Sequence, residues 1–543
     1  MTQALLPQTV VAVIGAGAMG AGIAQVAASA GHTVWLLDTR SGAAASAIDG
    51  IRAQFEKMAT KGKMTLEAAQ AAGARLLAAE QLADLANAGL VVEAIVENLA
   101  VKQQLFKDLE AVVSGGCILA SNTSSISITA IGAALKNPQR LAGLHFFNPA
   151  PLMALVEVVS GLATDQAVAN TLFATAAAWG KTPVLAKSTP GFIVNRVARP
   201  YYAEALRVLT EGGADCATLD ACCREAGGFR MGPFELMDMI GHDVNFAVTN
   251  SVWRAFFNDP RFLPSLVQQD LVDAGFLGKK SGRGFYNHQA GADKPLPATE
   301  PKQAVPSDIV VYGPSAAAQT LVKRLQANNI SHSHSHSHSH SHSHSHNTGT
   351  GHTLASAEAK PLAPATGHTK SPAMDDILAT VGGATLRITD GRTATRCAAE
   401  TTTPNTVLID LALDYAKATR LAVSVAAQCD PAAANAAIGL LQAAGFSVSQ
   451  LQDIPGLIVM RTVVMLANEA ADAVNQGVCD APAVDTAMRL GVNYPCGPLA
   501  WANAIGLSQV STVLANLAHT YGEDRYRTSP LIQHHVFAKK AFS

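Results

Sequence analysis

Residues 141–157 read Leu-Ala-Gly-Leu-His-Phe-Phe-Asn-Pro-Ala-Pro-Leu-Met-Ala-Leu-Val-Glu, which places an imidazole and a carboxylate within one short span. His145 closes an apolar strand, Leu141 to Leu144, and falls where a parallel sheet delivers side chains to its carboxyl edge. Glu157 is set in a second apolar stretch, Leu155 to Val159, where a carboxylate is unfavourable unless paired. An imidazole that becomes cationic is the simplest partner. Histidine titrates near neutral pH, so the pair suits a base that takes a proton while the carboxylate stabilises the resulting cation. Either residue alone reads equally well as a buried histidine or a glutamate at the rim. The catalytic reading rests on the two together and on the motif that precedes them.

That motif begins with a buried strand by composition, Thr9 to Ile14, which runs directly into Gly15-Ala-Gly17-Ala18-Met19-Gly20. A helix is expected from Ala21 to Ala30, ended by Gly31, and then a strand from Thr33 to Leu37 that finishes on Asp38. The glycines permit a tight turn and let a pyrophosphate approach backbone N–H groups at a helix N-terminus. Asp38 is placed to hold the ribose hydroxyls of an adenosine and to repel a 2′-phosphate, which favours NAD over NADP, with Arg40 nearby as the counter-indication. Val91 to Glu97 is expected to be a further strand, followed by a helix from Val101 that carries Lys102. Cys117 to Ala120 is the next strand and opens into Ser121-Asn-Thr-Ser-Ser125. A helix cap accounts for one of these five polar residues, and a loop lining the cleft of His145 accounts for the rest.

Taken together, the glycine motif, Glu93-Ala-Ile-Val-Glu-Asn98, Ser121-Asn-Thr-Ser-Ser125, His145-Phe-Phe-Asn-Pro149 and Gly191-Phe-Ile-Val-Asn-Arg196 resemble the NAD-dependent 3-hydroxyacyl-CoA dehydrogenases. The likeness covers residues 9 to about 287 and ends in Gly278-Lys-Lys-Ser-Gly-Arg-Gly-Phe-Tyr286. The resemblance implies that His145 is the catalytic base, Glu157 its orienting partner, and Ser124 and Asn195 contacts to the reacting oxygen or thioester. It implies cofactor contacts from Glu97, Lys102, Asn148 and Lys280, and a coenzyme A contact from Lys61. The segment Phe55 to Lys63 puts three lysines on a helix end and loop, and a solvated lysine face explains it as readily.

Residues 187–290 follow as an all-α domain, with Pro190-Gly191 breaking the chain before a helical stretch from Phe192 to Glu211. A linker at 291–305 leads to a second copy of both domains. Pro190-Gly-Phe-Ile-Val-Asn-Arg196 becomes Pro455-Gly-Leu-Ile-Val-Met-Arg461, and in the same register Glu204 matches Glu469, Asp215 Asp480, Asp220 Asp485 and Gly232-Pro233 Gly497-Pro498. The copy has lost its chemistry: His145 falls on Asp410, Glu157 on Ala422 and Asn195 on Met460. Gly313-Pro-Ser315-Ala-Ala-Ala318 keeps one of the three glycines. The fold class is therefore α/β plus all-α. Residues 1–186 form a Rossmann domain for NAD and 187–290 a helical domain; 306–451 form a reduced Rossmann-like domain without cofactor and 452–543 a second helical domain. The eight Ser-His dipeptides at 331–346 and their polar flanks, 327–373, are expected to be a disordered low-complexity insert, with metal binding as the rival reading.

This layout resembles the longer bacterial members of the family, including those of phenylacetate breakdown that act on 3-hydroxyadipyl-CoA. The alternative is a short-chain 3-hydroxybutyryl-CoA dehydrogenase, and a more distant one is a metal-binding or interaction protein on an idle scaffold. Arg196, Arg199, Arg207, Arg230 and Arg254 are the candidate partners for a terminal substrate carboxylate. The helical domains are expected to pair within the chain or in a homodimer.

Composition bounds these readings. The 543 residues carry 39 basic and 41 acidic side chains, a balance that makes no case for nucleic acid or an anionic membrane. No apolar run reaches the roughly 18 residues of a membrane span. Eight cysteines without a Cys-x-x-Cys pair fit reduced thiols better than disulfides or a zinc cage, so a cytoplasmic enzyme with no structural metal is expected.

Overall fold

The computed structural model describes residues 3–335 and 377–543. Eight strands make the first sheet: β1 (Val11–Ile14), β2 (Val34–Leu37), β3 (Leu76–Ala78), β4 (Leu90–Glu93), β5 (Ile118–Ser121), β6 (Leu141–Phe146), β7 (Leu155–Ser160) and β8 (Thr182–Lys187). Their order is β3-β2-β1-β4-β5-β6-β7-β8. The first six run parallel, as apolar runs linked by crossover helices demand, because helices then cover both faces. β6 and β7 instead pair antiparallel, and β7 and β8 run parallel.

β4 stops at Glu93, short of the expected Glu97. There the chain turns across the glycine loop, where a Cβ on Gly15 would meet the Ala94 carbonyl oxygen at 2.4 Å. β6 runs two residues past the expected end at Leu144, which makes His145 a cross-strand neighbour rather than a strand terminus.

The second sheet holds β9 (Val310–Tyr312), β10 (Ser333–Ser335), β11 (Ile377–Val381), β12 (Ala384–Ile388), β13 (Thr406–Ile409), β14 (Arg420–Val425) and β15 (Ser447–Gln450), in the order β10-β9-β11-β12-β13-β14-β15. β12 to β15 repeat β5 to β8 in order and direction: parallel, antiparallel, parallel. The remainder is reduced. β11 and β12 form a hairpin on Gly382-Gly383, both at positive φ, where the first sheet has a parallel pair.

β10 corrects the expected start of the insert. Ser333, His334 and Ser335 pair in parallel with β9 inside the segment anticipated as disordered. A strict two-residue alternation matches the side-chain period of a strand, and an edge position needs only one hydrogen-bonded neighbour. The rest of the Ser-His tract lies outside the described residues.

The helical segments pair within the chain. The helix Arg199–Thr210 packs on Val459–Asn475, which is buried around nearly its whole circumference and whose buried charged side chains Arg461, Glu469 and Asp472 are all paired. Reciprocal contacts join them. Arg196 Nε donates to Glu469 at 2.6 Å, and its equivalent Arg461 Nε donates to Glu204, the equivalent of Glu469, at 2.7 Å. Arg196 lies over Phe256 at 5.0 Å and Arg461 over Tyr521 at 4.9 Å. The Lys187 N–H donates to the Val478 carbonyl and the Gln452 N–H to the Gly213 carbonyl, each at 2.9 Å. Of the two pairings expected, the one within the chain is present. Among the described residues no helix is long and apolar enough to cross a membrane.

Candidate active site

His145 and Glu157 face each other across β6 and β7 in direct register. The His145 Nδ1 lies 2.7 Å from Glu157 Oε2, with the imidazole 6% exposed and the carboxylate fully buried. Glu157 Oε1 accepts the backbone N–H groups of Ile193 at 3.1 Å and Val194 at 2.9 Å. A carboxylate has no proton to give, so Nδ1 is the protonated ring nitrogen and Nε2 presents its lone pair. The two N–H groups fix the position of the carboxylate beside the ring. They are presented by a tight turn in which Gly191 has φ 75° and Phe192 φ 48°. A Cβ at Gly191 would meet the Arg196 nitrogen at 2.9 Å, so glycine is required there.

The imidazole opens on a cavity of about 350 Å³ whose walls include Met19, Glu97, Lys102, Ser124, Asn148 and Asn195. Asn195 Nδ2 donates to the Ser124 carbonyl at 3.3 Å, bridging the helical segment to the loop after β5. The loop itself is ordered around Glu97, which accepts from Thr123 Oγ1 at 2.6 Å, from the Ser124 and Ser125 N–H groups, and from Ser125 Oγ at 3.0 Å. None of the five loop residues caps the next helix, a job done by Ser127. Burial pushes the Glu97 carboxyl up, and Thr123 and Lys102 outweigh it to leave it below its usual range.

Lys102 is buried. Its Nζ sits 2.6 Å from Glu93 and 3.2 Å from Glu97. Glu93 also accepts from Ser121 Oγ and the Ile95 N–H, so this pair clamps β4, β5 and the helix Leu99–Val112 beside the cavity.

The glycine loop fits a dinucleotide. A Cβ on Gly20 would collide with the Gly15 carbonyl, whereas a Cβ on Gly17 meets nothing within 4 Å, so the space over the loop is open. The helix Ala18–Ser29 has no side-chain cap on its N-terminus, leaving its N–H groups for an anion. Asp38 accepts the Ala16 N–H at 2.7 Å, which fixes its carboxylate at the loop's edge, and the Arg40 guanidinium holds its pKa down at about 2.

Two expected contacts lie apart from this cavity. Lys61 is exposed at the end of the helix Ala43–Thr60, and Lys280 is paired with Asp243 at 2.7 Å. Asn122, expected in the loop lining this cleft, does line it, and its Oδ1 accepts the Phe146 N–H at 2.8 Å; sequence reasoning passed over Phe147, whose ring lies 4.5 Å from the imidazole. It also passed over Glu93 as the partner of Lys102. The argument that found Glu157, a carboxylate in an apolar strand, applies equally to Glu93.

The second copy shows what replaces this machinery. Asp410, at the His145 position, accepts the N–H groups of Ile458, Val459 and Met460 at 3.0, 2.8 and 2.9 Å. Ile458 and Val459 are the equivalents of Ile193 and Val194, so one aspartate spans the gap that a histidine and a glutamate bridge in the first copy. The turn before them is kept, with Gly456 at φ 74° and Leu457 at φ 52°. At the degenerate glycine loop Ser315 Oγ takes the Ala318 N–H at 3.1 Å, occupying the helix start that the first copy leaves open.

Comparison with known proteins follows the same division. Residues 10–189 match the 3-hydroxyacyl-CoA dehydrogenase NAD binding domain family, and residues 191–288 and 456–541 both match the 3-hydroxyacyl-CoA dehydrogenase C-terminal domain family. Residues 386–455 match the 3-hydroxybutyryl-CoA dehydrogenase reduced Rossmann-fold domain. The chain is similar to the 3-hydroxyadipyl-CoA dehydrogenase of Escherichia coli, 44% identical over 98% of each chain. It is 42% identical to the mitochondrial hydroxyacyl-coenzyme A dehydrogenase of Sus scrofa over 51% of this chain and 91% of that one. The crystal structure of a 3-hydroxybutyryl-CoA dehydrogenase from Escherichia coli covers 98% of this chain and 99% of its own at 42% identity, with a TM-score of 0.83.

Proposed function

The chain belongs to the 3-hydroxyacyl-CoA dehydrogenase family and is an NAD-dependent enzyme of it, and from that premise we propose that it oxidises 3-hydroxyadipyl-CoA with His145 as the base. The observation that carries the mechanism is the 2.7 Å His145–Glu157 contact beside a cavity that Ser124 and Asn195 share. The substrate rests on the full-length similarity to the adipyl enzyme.

In this reading the substrate's 3-hydroxyl sits against His145 Nε2, which accepts its proton as the alcohol becomes a ketone. NAD, held by Gly15, Gly17, Ala18, Met19, Gly20 and Asp38 with Glu97, Lys102 and Asn148 beside the cavity, supplies the hydride acceptor. Glu157 fixes the tautomer and stabilises the imidazolium as it forms. Asn195 and the Ser124 hydroxyl offer donors to the developing carbonyl or the thioester oxygen, where partial negative charge accumulates. Lys280 and Lys61 are assigned here to contacts that form on loading, with cofactor and coenzyme A respectively.

A second reading, a short-chain 3-hydroxybutyryl-CoA dehydrogenase, draws on the activity named for the solved Escherichia coli structure. Initial rates of NADH formation across 3-hydroxybutyryl-, 3-hydroxyhexanoyl- and 3-hydroxyadipyl-CoA separate the two. The adipyl thioester should show the highest kcat/KM; a preference for the butyryl substrate would replace the first reading with the second.

A further inference from the structure

Asn195 lies on the helical turn Val194–Val197, and Arg199 opens the helix Arg199–Thr210 that follows at once. Ala198 between them is itself αR, with φ −76° and ψ −12°, so the helical path runs through. Residues 195 and 199 are thus four apart on one face, about 6 Å along the axis.

Arg199 is 6% exposed, and among the described residues no carboxylate lies within ion-pair distance of it. Its Nη1 donates to Thr249 Oγ1 at 3.1 Å, its guanidinium lies over the Tyr202 ring at 4.9 Å, and its Nε has no hydrogen-bond partner. It borders a cavity of about 290 Å³ together with Tyr202, Leu206, Thr249, Phe262 and Gln268. Two acids that line the same cavity are already engaged: Glu211 by Arg461 and Tyr521, and Glu523 by Arg525. A buried guanidinium stays charged and is unfavourable without a counter-charge, so this cation is missing an anion.

The other candidate arginines do not meet that description. Arg196 is consumed by Glu469 and Gln476, and Arg207 donates to Tyr526. Arg230 and Arg254 are exposed. In the second copy, whose histidine position is Asp410, the equivalent of Arg199 is the buried Val464.

We propose that Arg199, supported by Thr249, is the residue that selects a dicarboxylic acyl chain by receiving its terminal carboxylate. This rests on the dehydrogenase reading above. With C3 held between His145 and Asn195, the far carboxyl carbon of a six-carbon diacid lies three carbon–carbon bonds away, about 4 Å, a reach comparable with the single helical turn from Asn195 to Arg199. Planar guanidinium donors suit a carboxylate in two-point contact.

The test compares 3-hydroxyadipyl-CoA with 3-hydroxyhexanoyl-CoA, which has the same length and a methyl end. In Arg199→Met the ratio of kcat/KM, adipyl over hexanoyl, should fall about 100-fold, through the adipyl substrate, as expected when one partner of a buried charge pair is removed. Arg199→Lys should recover part of the ratio, and Thr249→Val should lower it in the same direction by a smaller factor. The hexanoyl rate is the internal control for folding. An Arg199→Met enzyme that slows both substrates equally, or leaves the wild-type ratio intact, overturns the proposal while leaving the adipyl reading in place. A wild type with no preference for the adipyl chain overturns both.

Discussion

Replacing Glu157 by Gln removes one charge and otherwise keeps shape, and the structure determines which way the amide must turn. One carboxylate oxygen accepts two backbone N–H groups, from Ile193 and Val194, and the other faces His145 Nδ1. If the amide oxygen stays on the two N–H groups, its NH₂ points at Nδ1, which must then accept, and the proton moves to Nε2. That tautomer cannot take a proton from an alcohol. If the amide flips, the ring keeps its working tautomer, but NH₂ confronts two N–H donors. Two buried hydrogen bonds are then lost, at roughly 1–3 kcal/mol each. The working arrangement is therefore disfavoured by about 2–6 kcal/mol, which is a loss of roughly 30- to 10⁴-fold in turnover at about 1.4 kcal/mol per tenfold. Steady-state NADH formation at saturating NAD and substrate reads this directly, and the KM for NAD should stay near normal. A Glu157→Gln enzyme keeping more than a tenth of wild-type turnover would refute the tautomer argument, and with it the role given to His145 Nε2.

The remaining predictions concern the cofactor, the paired helices and the second copy. Asp38→Ser should lower kcat/KM for NAD by about 10- to 100-fold, the range of a charge-assisted hydrogen bond, and narrow the gap to NADP; a wild type that already prefers NADP contradicts the ribose assignment. Arg461→Met should destabilise the chain by about 3–5 kcal/mol, because Glu204 is left buried with only the Tyr526 hydroxyl, whereas Arg196→Met should cost less since Glu469 keeps Arg261. Equal drops in the thermal midpoint of the two variants would count against that account. Burial pushes Asp410 up to about 6, above its ordinary 3.8, so the folded state binds the extra proton between these values and stability should fall as pH rises through that window, then level off. Asp410→Asn removes that part of the slope, and thermal midpoints of both proteins across the window would expose an unchanged profile.

Much of the site could be read from residue types because its constraints are local. A glycine loop between strand and helix has few other uses, and a carboxylate inside an apolar strand demands a partner wherever it occurs. The duplication was legible because both copies keep the residues that shape the turn at Gly191 and Gly456 and the caps at Asp220 and Asp485. What spacing could not supply was direction. Twelve residues separate His145 from Glu157, and only the antiparallel pairing of β6 with β7 turns that interval into a contact. Arg196, Arg199 and Arg207 looked alike as charges near one helix; burial against Glu469, Thr249 and Tyr526 tells them apart. The edge strand β10 was missed because composition argued against a core, and an edge strand does not require one.

The reciprocal pairing of Arg196 with Glu469 and Arg461 with Glu204 has a further meaning for how such a chain can change. Where two identical chains meet, each substitution appears on both sides at once, and a contact must stay complementary to itself. Here the two sides are encoded separately. Arg261 reaches Asp472, while at the equivalent positions Tyr526 meets Arg207 at 3.0 Å, so the chemistry of the contact has diverged with its geometry kept. The same freedom let Asp410 displace a histidine without harming the half that works. It also makes the assembly indifferent to dilution: the partner surface travels with the site, so specific activity should hold constant down to concentrations at which a separable dimer would fall apart.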